Sequence, residues 1–218
     1  MIKTLYKLIA DYKFFFYLYG LFISVVGIAL LVYSKEESFF IVNGIYSTFG
    51  DVFFKVVTHL GDGLFFVLIV LALALYRYRL ALLGLIVFVA SSVIAQVLKV
   101  TLFDKAKRPV AYFEHNIDIH FVEGVTRHVK NSFPSGHTTT AFALALFLVL
   151  AFELRKSGWA MAIIAILVGY SRVYLAVHFP VDVYFGSLIG VLTATFMYAW
   201  LNTPFKNKFG DKGLMSKK

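Results

Sequence analysis

Residues 14–34, FFFYLYGLFISVVGIALLVYS, form an apolar stretch without a charged side chain. A helix needs about 20 predominantly apolar residues to cross the hydrocarbon core of a bilayer. The stretch therefore predicts a membrane-spanning helix. Residues 1–13 ahead of it contain three lysines, and no small-residue cleavage site follows a short apolar core. We therefore expect a retained first span rather than a cleaved signal peptide.

The rest of the chain contains five more apolar stretches. They are residues 63–76, 80–98, 138–152, 158–171 and 183–205. We expect the helix over residues 63–76 to begin earlier, near Val56, and to take His59 and Asp62 into its first turns. The pattern predicts an all-α integral membrane protein, a bundle of six transmembrane helices that forms a single domain over residues 1–218.

The composition agrees with a membrane protein and excludes some other classes. Of the 218 residues, 60% are hydrophobic and 15% are charged, and the mean hydropathy is +0.81. A soluble domain carries about 25% charged residues. The chain has no cysteine, which excludes a disulfide framework and a thiolate metal site.

Two segments between the spans are expected to lie outside the hydrocarbon core. The apolar spacing of residues 35–55 fits an amphipathic helix in the membrane interface, and an ordinary connector is the alternative. Residues 104–133 form a polar outer loop that contains His115, His120 and His128. The spacings of these histidines match no strong zinc pattern, so surface histidines are favoured over a metal site.

Lysine and arginine residues predict the orientation, because they are enriched in cytoplasmic loops. With the N-terminus inside, 12 of the 21 basic residues fall on the inner side and 9 on the outer side. Both termini are therefore predicted to be cytoplasmic. The basic C-terminal tail is interpreted as an anchor at anionic lipid headgroups. No nucleic-acid-binding module accompanies it, so a nucleic-acid partner is not expected.

Three polar motifs fall at the outer ends of three predicted spans. They are Lys99 with Arg108-Pro109, then Pro134-Ser135-Gly136-His137, then Ser171-Arg172 with His178 and Asp182. Their cations suit an oxyanion, because arginine presents a planar fork to phosphate oxygens and lysine a point charge. A serine at a helix cap with a glycine beside it leaves backbone N–H groups free to bind an anion. The motifs together predict a phosphate site.

His178 and Asp182 are four residues apart, and we expect Asp182 to accept the Nδ1–H of His178. That bond would leave Nε2 free as a base or nucleophile. Each motif alone has a plainer interpretation. Lys99 and Arg108 are then interfacial cations, and the third motif is a buried ion pair between helices. The convergence of the motifs on one membrane face favours the functional interpretation.

The ordered motifs resemble those of the type 2 phosphatidic acid phosphatase (PAP2) superfamily of membrane phosphatases. That family's motifs are Lys-x6-Arg-Pro, Pro-Ser-Gly-His and Ser-Arg-x5-His-x3-Asp, and the second and third match without departure. In the first, eight residues instead of six separate Lys99 from Arg108, so Lys105 or Lys107 is the alternative lysine. The resemblance covers about residues 60–190, the motif-bearing core.

The resemblance implies a phosphatase that needs no metal or other cofactor and works through a phosphohistidine. His178 would attack phosphorus, oriented by Asp182, and His137 would protonate the leaving oxygen. Water would then hydrolyse the intermediate. The phosphate-binding residues implied by the resemblance are Lys99, Arg108, Ser135, Gly136 and Arg172.

The resulting prediction is a lipid phosphatase of the bacterial inner membrane with its active site at the periplasmic face. The substrates that the resemblance implies are undecaprenyl pyrophosphate, phosphatidylglycerol phosphate, phosphatidic acid and lipid A phosphate. One alternative is a non-catalytic lipid-phosphate binder or transporter, for which loss of a catalytic histidine would be typical. The other is a vanadate-dependent haloperoxidase, an enzyme class whose members are soluble. The choice of lipid and the oligomeric state stay open.

Overall fold

The computed structural model describes residues 2–114, 118–210 and 212–214, and no strand occurs among them. The described residues form ten α-helices: α1 Ile2–Asp11, α2 Lys13–Val32, α3 Lys35–Asn43, α4 Thr48–Val57, α5 Gly63–Tyr76, α6 Tyr78–Val97, α7 Pro109–Tyr112, α8 Gly136–Ala151, α9 Gly158–Tyr174 and α10 Pro180–Phe209. A 3₁₀ turn, Thr58–Gly61, follows α4, and a π-helical turn, Leu98–Leu102, extends α6. The predicted all-α fold is confirmed.

Six of these helices coincide with the six predicted spans. Helix α2, helix α6 with its π-helical turn, and helix α10 are long and apolar enough to cross a bilayer, at 20, 25 and 30 residues. Helices α5, α8 and α9 are apolar but shorter, at 14, 16 and 17 residues. Each of these three has one end at a polar turn, which contains Asp62, Ser135 and His178 respectively.

Helix α8 is the centre of the bundle. It contacts α6, α9 and α10, and it is buried on nearly every side from Thr138 to Ala151. A helix that is apolar all round belongs in an interior, and the sequence AFALALFLVLA at residues 141–151 has this character. Helix α2, in contrast, has only two buried residues, Phe15 and Tyr19, as expected for a helix in contact with lipid.

Glycines bring α10 against α8. A Cβ atom at Gly190 would lie 2.5 Å from the carbonyl oxygen of Thr139, and one at Gly186 would lie 2.7 Å from that of Ser135. Small residues let helix backbones approach closely in membrane proteins. The N-terminal ends of α8 and α10 therefore lie side by side, which places the second motif against the third.

The expectation that α5 begins near Val56 is wrong. Asp62 has extended backbone angles, φ −67° and ψ 140°, and α5 begins only at Gly63. Glycine is a poor helix former, and glycines on both sides of Asp62 favour a break here. A Cβ at Gly61 would also lie 2.7 Å from the carbonyl oxygen of His137. The break brings this turn against the start of α8.

Residues 35–55 belong to two helices rather than one. Helix α3 and the segment of α4 with its 3₁₀ turn are bent by 108° relative to each other. The side chain of Ser47 caps the new helix, which explains why α4 starts independently. One face of α4 exposes Phe49, Val52 and Val56. Such a face suits the membrane interface, as expected from the sequence.

Candidate active site

The three motifs converge on one cavity of about 360 Å³. Six motif residues line it: Lys99, Arg108, Gly136, His137, Arg172 and His178. The other lining residues come from α4 with its 3₁₀ turn and from the outer loop: Lys55, Thr58, His59, Gly124, Val125, Thr126 and His128. Because the wall combines distant parts of the sequence, the cavity exists only in the folded bundle.

Arg108 is held at the cavity by backbone carbonyl groups. Its Nε donates to the carbonyl of Lys130 at 3.0 Å, and its Nη1 donates to that of Val177 at 3.3 Å. The residue is only 9% exposed. These bonds fix the orientation of the guanidinium. They also leave N–H groups for a ligand, since a guanidinium has five donors.

Arg172 brings a second buried guanidinium to the cavity. Its Nη1 donates to the hydroxyl of Thr58 at 2.5 Å, whereas its buried Nε has no hydrogen-bond partner among the described residues. Lys99, Arg108 and Arg172 are close enough for their positive charges to repel one another. Buried unpaired donors and unbalanced charge are costly, so the cavity favours an anionic ligand.

Helix α8 begins at the cavity wall. Ser135 caps it by accepting hydrogen bonds from the backbone N–H of Thr138 at 3.4 Å and from the Thr138 hydroxyl at 2.8 Å. A Cβ atom on Gly136 would meet nothing within 4 Å, so the space beside this glycine is open to a ligand. Free N–H groups and the helix dipole make such a terminus suitable for an anion.

Ser135, which is predicted to bind phosphate, lies behind the cavity wall rather than in it. The residue is fully buried and does not line the cavity. Its hydroxyl is engaged in the helix cap, as the bonds to Thr138 show. The cap fixes the start of α8, whose first residue, Gly136, lies in the wall.

His178 lies in the turn between α9 and α10, and its Nδ1 is 3.2 Å from Oδ2 of Asp182. This is the contact that the sequence spacing predicts. Burial lowers the pKa of His178 to about 3, and Asp182 offsets only part of that effect, so the imidazole is neutral near pH 7. With Nδ1–H donated to Asp182, Nε2 is unprotonated. This nitrogen has the chemistry of a nucleophile.

The backbone fixes His178 relative to Arg172. The N–H groups of Val177 and His178 both donate to the carbonyl of Arg172, at 3.1 and 3.0 Å. Ala176 adopts a left-handed conformation with φ 54°, in which the chain reverses after α9. The imidazole and the guanidinium of the third motif are thus presented by one rigid turn.

A second aspartate–histidine pair lies at the cavity and was not predicted from the sequence. Nε2 of His137 is 2.7 Å from Oδ1 of Asp62, and Oδ2 of Asp62 is 2.8 Å from Nδ1 of His59. The carboxylate bonds Nε2 of His137 and leaves the other ring nitrogen, Nδ1, for a ligand. A signal was available, because a carboxylate at the start of a predicted span is costly unless it has a function.

The outer-loop histidines differ in their surroundings. His128 is exposed and lines the cavity, which the sequence did not predict. The expectation of a surface histidine is wrong for His120, whose Nε2 is 2.8 Å from Oδ1 of Asp51 and whose ring stacks on Tyr46 at 4.0 Å between centroids. These two partners draw His120 against α4. His115 lies outside the described residues.

The side chains at the cavity suit an anion better than a cation. Within the described ranges, no group of three or more histidine, aspartate or glutamate side chains is arranged to hold a metal ion. His59, Asp62 and His137 are instead hydrogen-bonded in a row. The fixed charges that line the cavity are those of lysine and arginine.

Of the three candidate lysines in the first motif, Lys99 lies in the cavity wall. Lys107 instead forms an ion pair with Glu114 at 2.8 Å, and Lys105 is exposed in a turn. Between Lys99 and Arg108 the chain passes through the π-helical turn and a short loop. This path accommodates the two extra residues of the first motif.

We expect Lys99→Met to weaken the binding of orthovanadate, a phosphate analogue, by about tenfold or more, because a charge-assisted contact is lost. Lys105→Met removes the same charge outside the cavity and should leave the affinity unchanged. The affinity of each variant is measured from the rise in its thermal unfolding temperature in detergent as orthovanadate is added. Equal affinities for the Lys99→Met variant and the unaltered protein would contradict a role for Lys99 in the site.

Comparisons with known proteins agree on one family. The PAP2 superfamily model matches residues 79–206. Undecaprenyl-diphosphatase BcrC of Bacillus subtilis is 37% identical over 91 residues, which are 41% of this chain and 46% of that protein. Phosphatidylglycerophosphatase B of the same organism is 33% identical over 150 residues, 62% of this chain and 68% of that protein.

A solved structure has the same fold. The crystal structure of Aquifex aeolicus LpxE superposes with a TM-score of 0.66 and 26% identity, covering 78% of this chain and 99% of that chain. The chain spans less than half the length of the first curated relatives that it matches. The family model nevertheless matches more than half of the chain and includes all three motifs, and the chain therefore belongs to the PAP2 superfamily.

Proposed function

We propose that this protein is an integral-membrane phosphatase that removes phosphate from a lipid phosphate or lipid pyrophosphate. The main support is the neutral His178 in a cavity that also contains Lys99, Arg108 and Arg172. Relatives named as undecaprenyl-diphosphatase, lipid A 4'-phosphatase and phosphatidylglycerophosphatase support the same class of substrate.

In the first step, Nε2 of His178 attacks the phosphorus of the bound phosphoryl group. An N–P bond forms while the P–O bond to the leaving group breaks, and the leaving oxygen keeps the electron pair. Asp182 stabilises the positive charge that develops on the imidazole ring. The cations and the N–H of Gly136 bind the other phosphoryl oxygens. Phosphoryl transfer depends mainly on such positioning and charge stabilisation.

His137 donates the proton on its Nδ1 to the leaving oxygen. Its Nε2 remains hydrogen-bonded to Asp62. In the second step, a water molecule gives a proton to His137 and attacks the phosphohistidine. The N–P bond then breaks, its electron pair returns to Nε2 of His178, and inorganic phosphate is released. The covalent intermediate divides one difficult reaction into two easier ones, and no metal ion takes part.

We infer that the cavity faces the periplasmic or outer side of the cytoplasmic membrane and that both termini are cytoplasmic. Two features support this orientation. Basic residues are in excess on the proposed inner side, as the positive-inside rule requires. A cavity at the outer interface also gives a phosphorylated lipid headgroup access without transfer across the bilayer.

The purified protein should release phosphate from a lipid phosphate or lipid pyrophosphate with EDTA present. The panel contains undecaprenyl pyrophosphate, phosphatidylglycerol phosphate, phosphatidic acid and lipid A. His178→Ala should reduce turnover to below about a hundredth, since the remaining groups supply acid–base help alone. Gel filtration in detergent controls for folding. Higher residual activity would show that His178 is not the nucleophile, and lipid binding without any phosphate release would favour a binding protein.

Asp62→Asn and His137→Ala should both lower the rate mainly on substrates with a poor leaving group. A lipid alkoxide needs a proton, whereas nitrophenolate leaves without one. We expect His137→Ala to lose about 10²–10⁴-fold on an alkyl phosphate, Asp62→Asn to lose less, and both to lose little on nitrophenyl phosphate. The measurement is the ratio of the two rates where phosphohistidine formation is limiting. Equal losses on both substrates would indicate a structural role for the pair.

Reporter fusions test the orientation. A reporter after Lys218 and one inserted within residues 112–126 should report opposite sides of the membrane, because the basic residues predict a cytoplasmic C-terminus and an outer loop. A fusion within Arg77–Arg79, at the connection between α5 and α6, is the matched control and should agree with the C-terminal fusion. A cytoplasmic signal from the outer loop would overturn the orientation.

A further inference from the structure

The cavity has more basic side chains in its wall than one phosphoryl group requires. Beyond the motif residues, Lys55, His59 and His128 line it, and we call these three residues the outer basic wall. We propose that the outer basic wall binds the lipid-linked phosphate of a lipid diphosphate, so that the protein prefers lipid diphosphates to lipid monophosphates. This inference rests on the proposed function, because it concerns the leaving group of that reaction.

The exposure of the lining residues shows which phosphate would lie deeper in the cavity and which would lie nearer its mouth. His178 is 2% exposed, and Arg172 is 7% exposed, so the nucleophile and its cations form the inner end of the cavity. The side chain of His59 is 70% exposed, and Lys55 and His128 are also exposed. In a phosphoryl transfer the leaving group departs opposite the nucleophile. It therefore moves from His178 towards the outer basic wall.

Lys55 is held in place for such a ligand. Its Nζ donates to the carbonyl of Glu123 at 2.8 Å, and an ammonium group has two further N–H donors. Gly124 has φ 73°, and a Cβ atom there would lie 2.6 Å from Nζ of Lys55. The outer loop therefore passes directly beside this ammonium group. An ordered cation loses less conformational freedom on binding a phosphate than a mobile one.

A second cleft beside the cavity does not offer the same charge. This cleft has a volume of about 190 Å³ and includes Gly61, Ser92 and Gln96. The basic side chains that the described part of the chain contributes to it are Lys99 and His137, which already line the main cavity. Charge complementarity thus assigns the second phosphate to the outer basic wall rather than to this cleft.

Helix α4 connects the outer basic wall to lipid. Lys55 lies on the same helix as the exposed apolar residues Phe49, Val52 and Val56. An amphipathic helix of this kind inserts its apolar face into the interface. A lipid whose diphosphate occupies the cavity can therefore leave its chain along α4. The reaction then releases a lipid monophosphate, whose oxygen keeps the electron pair of the broken P–O bond and takes the proton of His137.

The test compares farnesyl diphosphate with farnesyl monophosphate, which share one lipid chain. The unaltered protein should show a higher kcat/KM for the diphosphate. Lys55→Met and His128→Gln should each lower the ratio of the two kcat/KM values by about tenfold, the effect of losing one charge-assisted hydrogen bond. Lys55→Arg should retain most of the ratio. Lys105→Met, an exposed change in the same loop but outside the cavity wall, should leave it unchanged.

A binding measurement separates the failure of this inference from the failure of the proposed function. Inorganic pyrophosphate should bind the unaltered protein more tightly than orthophosphate, and Lys55→Met should reduce that difference. If neither farnesyl substrate is hydrolysed, the proposed function is wrong, while the binding difference still tests the second subsite. A preference for the monophosphate, or equal losses on both substrates in Lys55→Met and His128→Gln, would overturn the inference. His59 is not substituted, because it also bonds Asp62.

Discussion

The rest of the site depends on the hydrogen bonds that the buried Asp182 accepts. Its Oδ2 accepts hydrogen bonds from the hydroxyl of Ser132 at 2.5 Å, the N–H of Phe179 at 3.0 Å and Nδ1 of His178 at 3.2 Å. Its backbone carbonyl accepts the N–H of Ser135 at 3.0 Å. A buried carboxylate needs such partners to offset its desolvation. The same partners start α10, orient the imidazole and join the beginning of α8 to that of α10.

Electrostatics explains why the site lies at the ends of helices and not in the middle of the bundle. Positive charges deep in an apolar interior are costly. At the ends of α6 and α9, Lys99 and Arg172 still reach a cavity that opens to exposed residues such as His59. The start of α8 adds partial positive charge to the same place without a further buried ion.

The two aspartate–histidine pairs place His178 and His137 in different environments, although the two side chains are chemically identical. His178 is almost fully buried and held by a carboxylate that belongs to its own turn. His137 is more accessible and is held by Asp62 from a separate segment, which is also bonded to His59. Environments that differ in burial and charge separate the roles of like groups. This difference underlies the assignment of one histidine as nucleophile and the other as acid.

The sequence by itself determined the helical membrane fold, the positions of six apolar helices and the three motifs, because these depend on local composition and short spacings. It also indicated the contact between His178 and Asp182, which are four residues apart. Only the tertiary structure decided that Lys99 lines the cavity and that Ser135 lies behind its wall. It alone showed that Asp62, Lys55 and His128 join the site. These residues meet through packing between segments far apart in the chain, and glycines in α10 and beside Asp62 permit the close approach. A short-range pattern can mark a residue such as Asp62 as unusual, but it does not specify which distant residue it contacts.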